Sequence, residues 1–221
     1  MISPSALRGF VLEELIAKLL QASGFDLLVE PAQDPNALAL AGNGLQIHGR
    51  GADHQVDVLG QLHLEIPFSY PIRLFVEAKY RSKPTGLDAV RNALGVVNDV
   101  NEHYSSAGAI AVAGGYERYQ YKYALFSATG FTETAEQYAI TQQISLVDLS
   151  QRPFEKLLRR ADRLSSELLK LASVAKLQRF PLRETRNGLR RALGTWPRED
   201  SHEPVDFESA EARARNGDGA H

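Results

Sequence analysis

Residues 72–79, IRLFVEAK, constrain the fold of this chain more than any other stretch. Phe75 and Val76 sit at the centre of a run that reads as a buried β-strand from Ile72 to Ala78. That strand closes on an acid and a lysine two positions apart. Side chains alternate across a strand, so Glu77 and Lys79 project from one face. Two charges on one face of an apolar strand are costly to bury unless they pair or hold a cation. Other parts of the fold must therefore be arranged around them.

The flanking segments fall into an order of elements. Ser3-Pro4 reads as an N-cap and a first-turn proline. Leu7, Phe10, Val11, Leu15, Ile16, Leu19 and Leu20 then recur at helical spacing, and Gly24 closes the helix. A short strand is expected over Phe25 to Val29, and a loop over residues 31–44, which are rich in Pro, Asn, Asp and Gly. Strand signals follow at Leu45 to His48 and Gln55 to Leu59, the latter extending through Leu62 to Ile66. After the Ile72 strand come a helix over Leu87 to Tyr104 and strands at Gly108 to Ala113 and Tyr123 to Ala128. A helix over Phe131 to Thr141, capped by Thr129 or Thr132, precedes a last strand at Ile144 to Leu149. Pro153 opens a long helical region reaching about residue 193, with a break at Phe180-Pro181. This order predicts an α/β fold, a mixed central sheet with helices on both faces.

Composition sets limits. Apolar residues make up 43% of the 221-residue chain, enough for a real core. There is no cysteine, which excludes a disulfide scaffold, a thiolate zinc site and a cysteine nucleophile. Charge in every turn after the first few residues of MISPSALRGFVLEELIAKLL argues against a signal peptide, and no stretch is apolar for long enough to span a bilayer. A cytoplasmic protein with no membrane partner is expected.

The net charge of −2 hides a segmental pattern. Residues 1–150 carry 10 basic and 16 acidic side chains, residues 151–193 carry 12 and 4, and residues 194–221 carry 3 and 7. The expected division is a domain over 1–150, a basic helical extension over 151–196, and an acidic, disordered tail over 197–221. Such asymmetry points to a polyanionic partner.

Asp57, in the strand of GADHQVDVLG at 51–60, completes a constellation with Glu77 and Lys79. Phosphodiester hydrolysis needs a nucleophilic water and stabilisation of charge on phosphate oxygens. Two carboxylates can hold Mg²⁺, a hard cation that takes oxygen ligands and keeps several waters. A lysine beside it can orient or deprotonate the water, or stabilise the transition state. The backbone carbonyl of Ala78 is a further candidate ligand. Each residue also has a plainer reading: Asp57 as a strand-end residue satisfied by amides, Glu77 and Lys79 as a surface ion pair, Glu13 and Glu14 as first-turn acids favoured by the helix dipole.

The ordered pair D…ExK resembles the PD-(D/E)xK nucleases, the restriction endonuclease-like fold. The likeness extends to the Mrr-type restriction endonuclease branch. An opening helix of the right form is present as EELIAKLLQASGF at 13–25. GRGADHQVDV precedes the aspartate, and ALFSATGFTETAEQYA and ISLVDL follow in order, so the resemblance covers roughly residues 5–150. It implies an αβββαβ core, Mg²⁺-dependent cleavage of DNA with Mn²⁺ able to substitute, and a first-helix glutamate near the metal: Glu13, with Glu14 as runner-up. The chain departs from the branch in carrying EAK where many members have QxK, and His54 and Gln55 where glycines are common.

The resulting expectation is a Mg²⁺-dependent DNA endonuclease of restriction, defence or repair. Asp57, Glu77, the Ala78 carbonyl and Glu13 are placed at the metal, and Lys79 at the water. A non-catalytic nuclease-fold module that binds DNA or a partner protein is the alternative, and RNA is a further substrate for the same chemistry. A homodimer, or a partner protein of a defence system, is compatible with cutting both strands. Asp53 is a minor candidate as a second metal ligand, and His54 reads as a surface residue. Tyr80, Arg81 and Lys83 are candidates for phosphate contact, and GGYERYQYKY at 114–123 for base stacking or a plain strand face. The basic extension either contacts DNA or docks on the acidic body.

Overall fold

A computed structural model describes residues 2–42, 44–64, 66–103 and 118–196. The strand expected at Gly108 to Ala113, the first residues of the tyrosine-rich run and the acidic tail lie outside these residues.

Helix α1 (Pro4–Ala22) begins where Ser3 Oγ accepts the Ala6 N–H at 3.1 Å, with Pro4 in the first turn. It ends at Ser23, after which Gly24 turns the chain at φ 89° into β1 (Phe25–Leu28). Apolar side chains surround most of α1 because it is sandwiched. Leu12, Ile16 and Leu20 face a sheet, while Leu7, Val11 and Leu15 face the C-terminal helices. Each fully buried leucine or isoleucine here contributes roughly 1.5–3 kcal/mol of transfer free energy.

The segment read as a loop contains a single 3-10 turn at Pro31–Gln33 and then β2 (Leu38–Ala41). This strand escapes a sequence reading because it is four residues long and borrows its order from a hairpin with β3 (Gly44–His48). The strand signal over 55–66 resolves into two elements, β4 (Asp53–Val56) and β5 (Val58–Leu62), with Asp57 between them. β4 completes a three-stranded antiparallel sheet, β2-β3-β4, while β5 enters a different sheet. Asp57 thus occupies the step between two sheets.

The larger sheet has the order β1-β5-β6-β7-β8, where β6 is Ile72–Lys79, β7 Gln120–Ser127 and β8 Ser145–Asp148. β1, β5 and β6 run antiparallel, and β6, β7 and β8 run parallel. Helices α2 (Leu87–Asn101) and α3 (Glu133–Gln142) cover one face through Val90, Ala93, Val97 and Ala139. α1 and α4 (Glu155–Val174) lie on the other. Gly60 on β5 permits the close approach of α1, since a Cβ there would meet Leu20 Cδ2 at 2.7 Å. The mixed sheet with helices on both faces is the expected restriction endonuclease-like architecture.

The basic extension docks. Pro153 opens a short 3-10 turn, α4 follows, and α5 (Leu182–Leu193) begins just after Pro181, at the expected break. Ala161 is fully buried against α1, and Leu164, Leu168, Leu182, Leu189 and Leu193 close the same cluster. The three arginines on α4, Arg159, Arg160 and Arg163, are exposed, as the spacing of an amphipathic helix requires. No helix among the described residues is long and apolar enough to cross a membrane.

Candidate active site

One face of β6 reads Arg73, Phe75, Glu77, Lys79. Phe75 stacks on Tyr123 of β7, its register partner, with ring centroids 4.6 Å apart. Tyr123 extends past that stack, and its hydroxyl donates to Glu77 Oε2 at 2.8 Å. The second Glu77 oxygen is ion-paired with Lys79 Nζ. Both partners are about one-fifth exposed (19% and 20%), so the pair sits at the edge of solvent, reachable yet desolvated.

Asp57 arrives from the neighbouring strand. β5 pairs with β6 through Val58 and Val76, which sets Asp57 beside the C-terminal end of β6. The Ala78 backbone N–H donates to Asp57 Oδ2 at 2.8 Å, leaving Oδ1 without a donor among the described residues. Burial holds the Asp57 carboxyl above its ordinary range. The Ala78 hydrogen bond opposes that shift, and the Glu77 charge adds to it. Asp57, Glu77 and Lys79 therefore meet at one sheet end.

Glu13 approaches from α1. Burial first, and the Asp57 charge second, push its carboxyl up to about 8 against the pull of Arg186. Arg186 of α5 donates to Glu13 Oε2 at 2.7 Å and lies 3.0 Å from Glu14 Oε1. Arg190 meets the other Glu14 oxygen at 3.1 Å. Glu14, only 2% exposed, is thus neutralised by two cations, whereas Glu13 shares one with it. Of the two acids, Glu13 is the one left in electrostatic contact with Asp57.

The donor set fits a hard cation of low protein coordination. Two carboxylates and a main-chain carbonyl leave room for waters, the pattern magnesium favours. Among the described residues, no three His, Asp or Glu side chains close on one point as a metal cage. The repulsion of Asp57 with Glu77, and of Asp57 with Glu13, in a half-buried place is what a divalent ion would relieve.

Other candidates lie elsewhere. Asp53 stands at the far end of β4, about 13 Å of extended chain from Asp57, where it pairs with His48 Nδ1 at 2.7 Å. His54 Nε2 meets Asp99 Oδ2 at 2.7 Å, and Asp99 also accepts the Gly51 and Ala52 amides. These contacts latch the β3–β4 turn to α2. Tyr80 donates to Asp162 of α4 at 2.7 Å and so belongs to the docking of that helix, while Arg81 and Lys83 are exposed. Within the described part of the tyrosine-rich run, Tyr119 and Tyr121 pack on Arg73 rather than standing free to stack on bases.

Tyr123, Arg186 and Arg190 are site neighbours that sequence reasoning missed. A signal for the arginines existed. Glu14 lies in a helix apolar on every side, so it needed buried cations, and Arg186 and Arg190 are spaced one helical turn apart on a basic helix.

The Mrr catalytic-domain family model, described as restriction endonuclease, matches residues 5–151. No curated protein matches the chain. A solved structure titled as a protein of unknown function, AF1548, is 17% identical over 85% of this chain and 99% of its own, with a TM-score of 0.45.

Proposed function

This chain belongs to the Mrr-type restriction endonuclease family, within the PD-(D/E)xK nucleases, and on that premise we propose that it is a Mg²⁺-dependent DNA endonuclease acting in cytoplasmic restriction, defence or repair. Nucleases of this type generally use divalent metals. The observation that carries the reading is the meeting of Asp57, Glu77 and Lys79 at the end of β6, with the Asp57 carboxyl raised by burial and by Glu77.

Asp57 Oδ1, Glu77 and the Ala78 carbonyl would hold the ion, with Glu13 reached through water. When bound, Mg²⁺ or Mn²⁺ supplies an acidified water and a polarised phosphoryl oxygen. Lys79, freed from Glu77, donates to the attacking water or to the non-bridging oxygens as charge grows on them. Tyr123 keeps one Glu77 oxygen in place while Lys79 shifts. The Ala78 N–H fixes the Asp57 carboxylate so that its second oxygen faces the site. Glu13, protonated in good part at neutral pH, can hydrogen-bond a water without adding a charge.

Incubation with supercoiled plasmid, unmodified and methylated, tests this reading. Wild type should nick or linearise it only with Mg²⁺ or Mn²⁺, and Asp57→Ala should not. Cleavage in EDTA, or by the variant at the wild-type rate, overturns it. A parallel RNA substrate separates the two backbones.

A further inference from the structure

A cavity of about 310 Å³ opens beside Asp57, between α1, the β2–β3 hairpin and α5. Its walls have two characters. Leu28, Leu40, Leu45 and Val56 line it with apolar side chains from the strands, and Trp196, just past α5, adds an aromatic ring. Arg183, Arg186 and Asn187 make the α5 side cationic and hydrogen-bonding. The arginines are not equivalent, since Arg186 and Arg190 are held by Glu13 and Glu14. Arg183 is exposed and has no ion-pair partner among the described residues.

This combination selects a ligand class. A flat or aliphatic wall accepts a base or sugar, as in most small-molecule sites of this size. Asn187 and Glu30 offer donor and acceptor edges to a heterocycle. A free guanidinium at the rim offers a fork to phosphate. Glu14, the acid that would repel an anion from inside, is already neutralised by two arginines. The α5 wall lies outside residues 5–151, the span shared with the family, so this half of the cavity is particular to the C-terminal extension.

We propose that this cavity binds one nucleoside phosphate, with its base against the apolar lining and its phosphate on Arg183. The inference rests on the nuclease reading for its biological sense: Asp57 lines the cavity, so a strand held at Asp57 would place a nucleoside beside the scissile phosphate. A free nucleotide has the same chemistry and would occupy it equally.

Trp196 is the single tryptophan of the chain and lines the cavity, so its fluorescence reports occupancy. The whole protein is titrated in EDTA with thymidine 5′-monophosphate, a thymidine octamer, thymidine and inorganic phosphate. Saturable quenching by the monophosphate or the octamer is expected, with little effect of thymidine or phosphate alone. Arg183→Ala should weaken it about tenfold, in line with loss of a charge-assisted contact, and Arg183→Glu should weaken it more. Tighter binding of the octamer assigns the site to a strand, and tighter binding of the monophosphate assigns it to a free nucleotide. No saturable change with either, or equal affinity in both Arg183 variants, overturns the proposal. Because the assay needs no metal and no cleavage, it can fail while plasmid cleavage succeeds, or succeed while cleavage fails.

Discussion

The two ends of one strand face treat buried charge in opposite ways. At the start of β6, Arg73 is 2% exposed and ion-paired with a buried acid. Asp34 meets it at 2.6 Å, Gln61 accepts from Nε at 3.1 Å, Tyr121 contributes its hydroxyl, and Tyr119 lies 3.3 Å from the guanidinium along the ring normal. At the other end, Asp57 lies in the field of Glu77 and raises Glu13 in turn, with fewer cations than these acids require, and burial raises two of them. A closed network like that of Arg73 serves the fold, because a buried pair is costly to break and has nothing left to bind. An under-compensated cluster is poised for a ligand of opposite charge. Sequence alone shows four residues of alternating placement on β6; only the partners distinguish the two ends.

The sharpest break between them is catalytic. Lys79→Ala should lower plasmid cleavage by about 10²–10⁴-fold, the usual range for a group acting on a reacting proton, with a melting temperature within a few degrees of wild type. Cleavage at the wild-type rate would place Lys79 with the structural charges. Arg73→Ala should do the reverse. Leaving Asp34 buried and unpaired should cost about 3–5 kcal/mol in urea unfolding, while cleavage per folded molecule stays intact. A loss below 1 kcal/mol would contradict the closed-network account.

Glu13 gives a smaller, pH-resolved effect. Its carboxyl is raised in the fold from 4.5 to about 8, so the folded protein binds the extra proton between those values. Stability should therefore fall as pH rises from about 4.5 through about 8, by on the order of 2 kcal/mol once partial exposure is discounted. Glu13→Gln should flatten that slope in metal-free urea titrations; an unchanged slope would locate the proton elsewhere. The smallest effect is expected for Asp57→Asn. The amide oxygen keeps the Ala78 hydrogen bond, and the substitution removes a charge that burial and Glu77 oppose, so the metal-free variant should be slightly more stable in urea unfolding. Destabilisation would mean that the charge is already compensated.

What the sequence disclosed follows from how local each cause is. Ser3 capping, the close of α1 at Gly24 and the β6 strand depend on neighbours a few residues away, and all are legible. Asp57, Glu77 and Lys79 were singled out by residue type, strand alternation and resemblance. Their union depends on β5 pairing with β6, which two adjacent strand signals made inferable. β2 was hidden because a four-residue strand within Gly- and Asn-bearing sequence gains its order from its hairpin partner. The sheet switch at Asp57 was hidden because alternation does not change across it. Arg186 and Arg190 reach α1 from more than 170 positions away, and such docking has no local signature.

Thermal unfolding with and without saturating Mg²⁺, in wild type and Asp57→Asn, tests the shared cation site most directly. An ion held at about one hundred times its dissociation constant adds about 2.7 kcal/mol, or roughly 5–10 °C for a domain of this size. The account predicts that gain for wild type and its near-complete loss in Asp57→Asn. An equal gain in both proteins, or none in either, would contradict it.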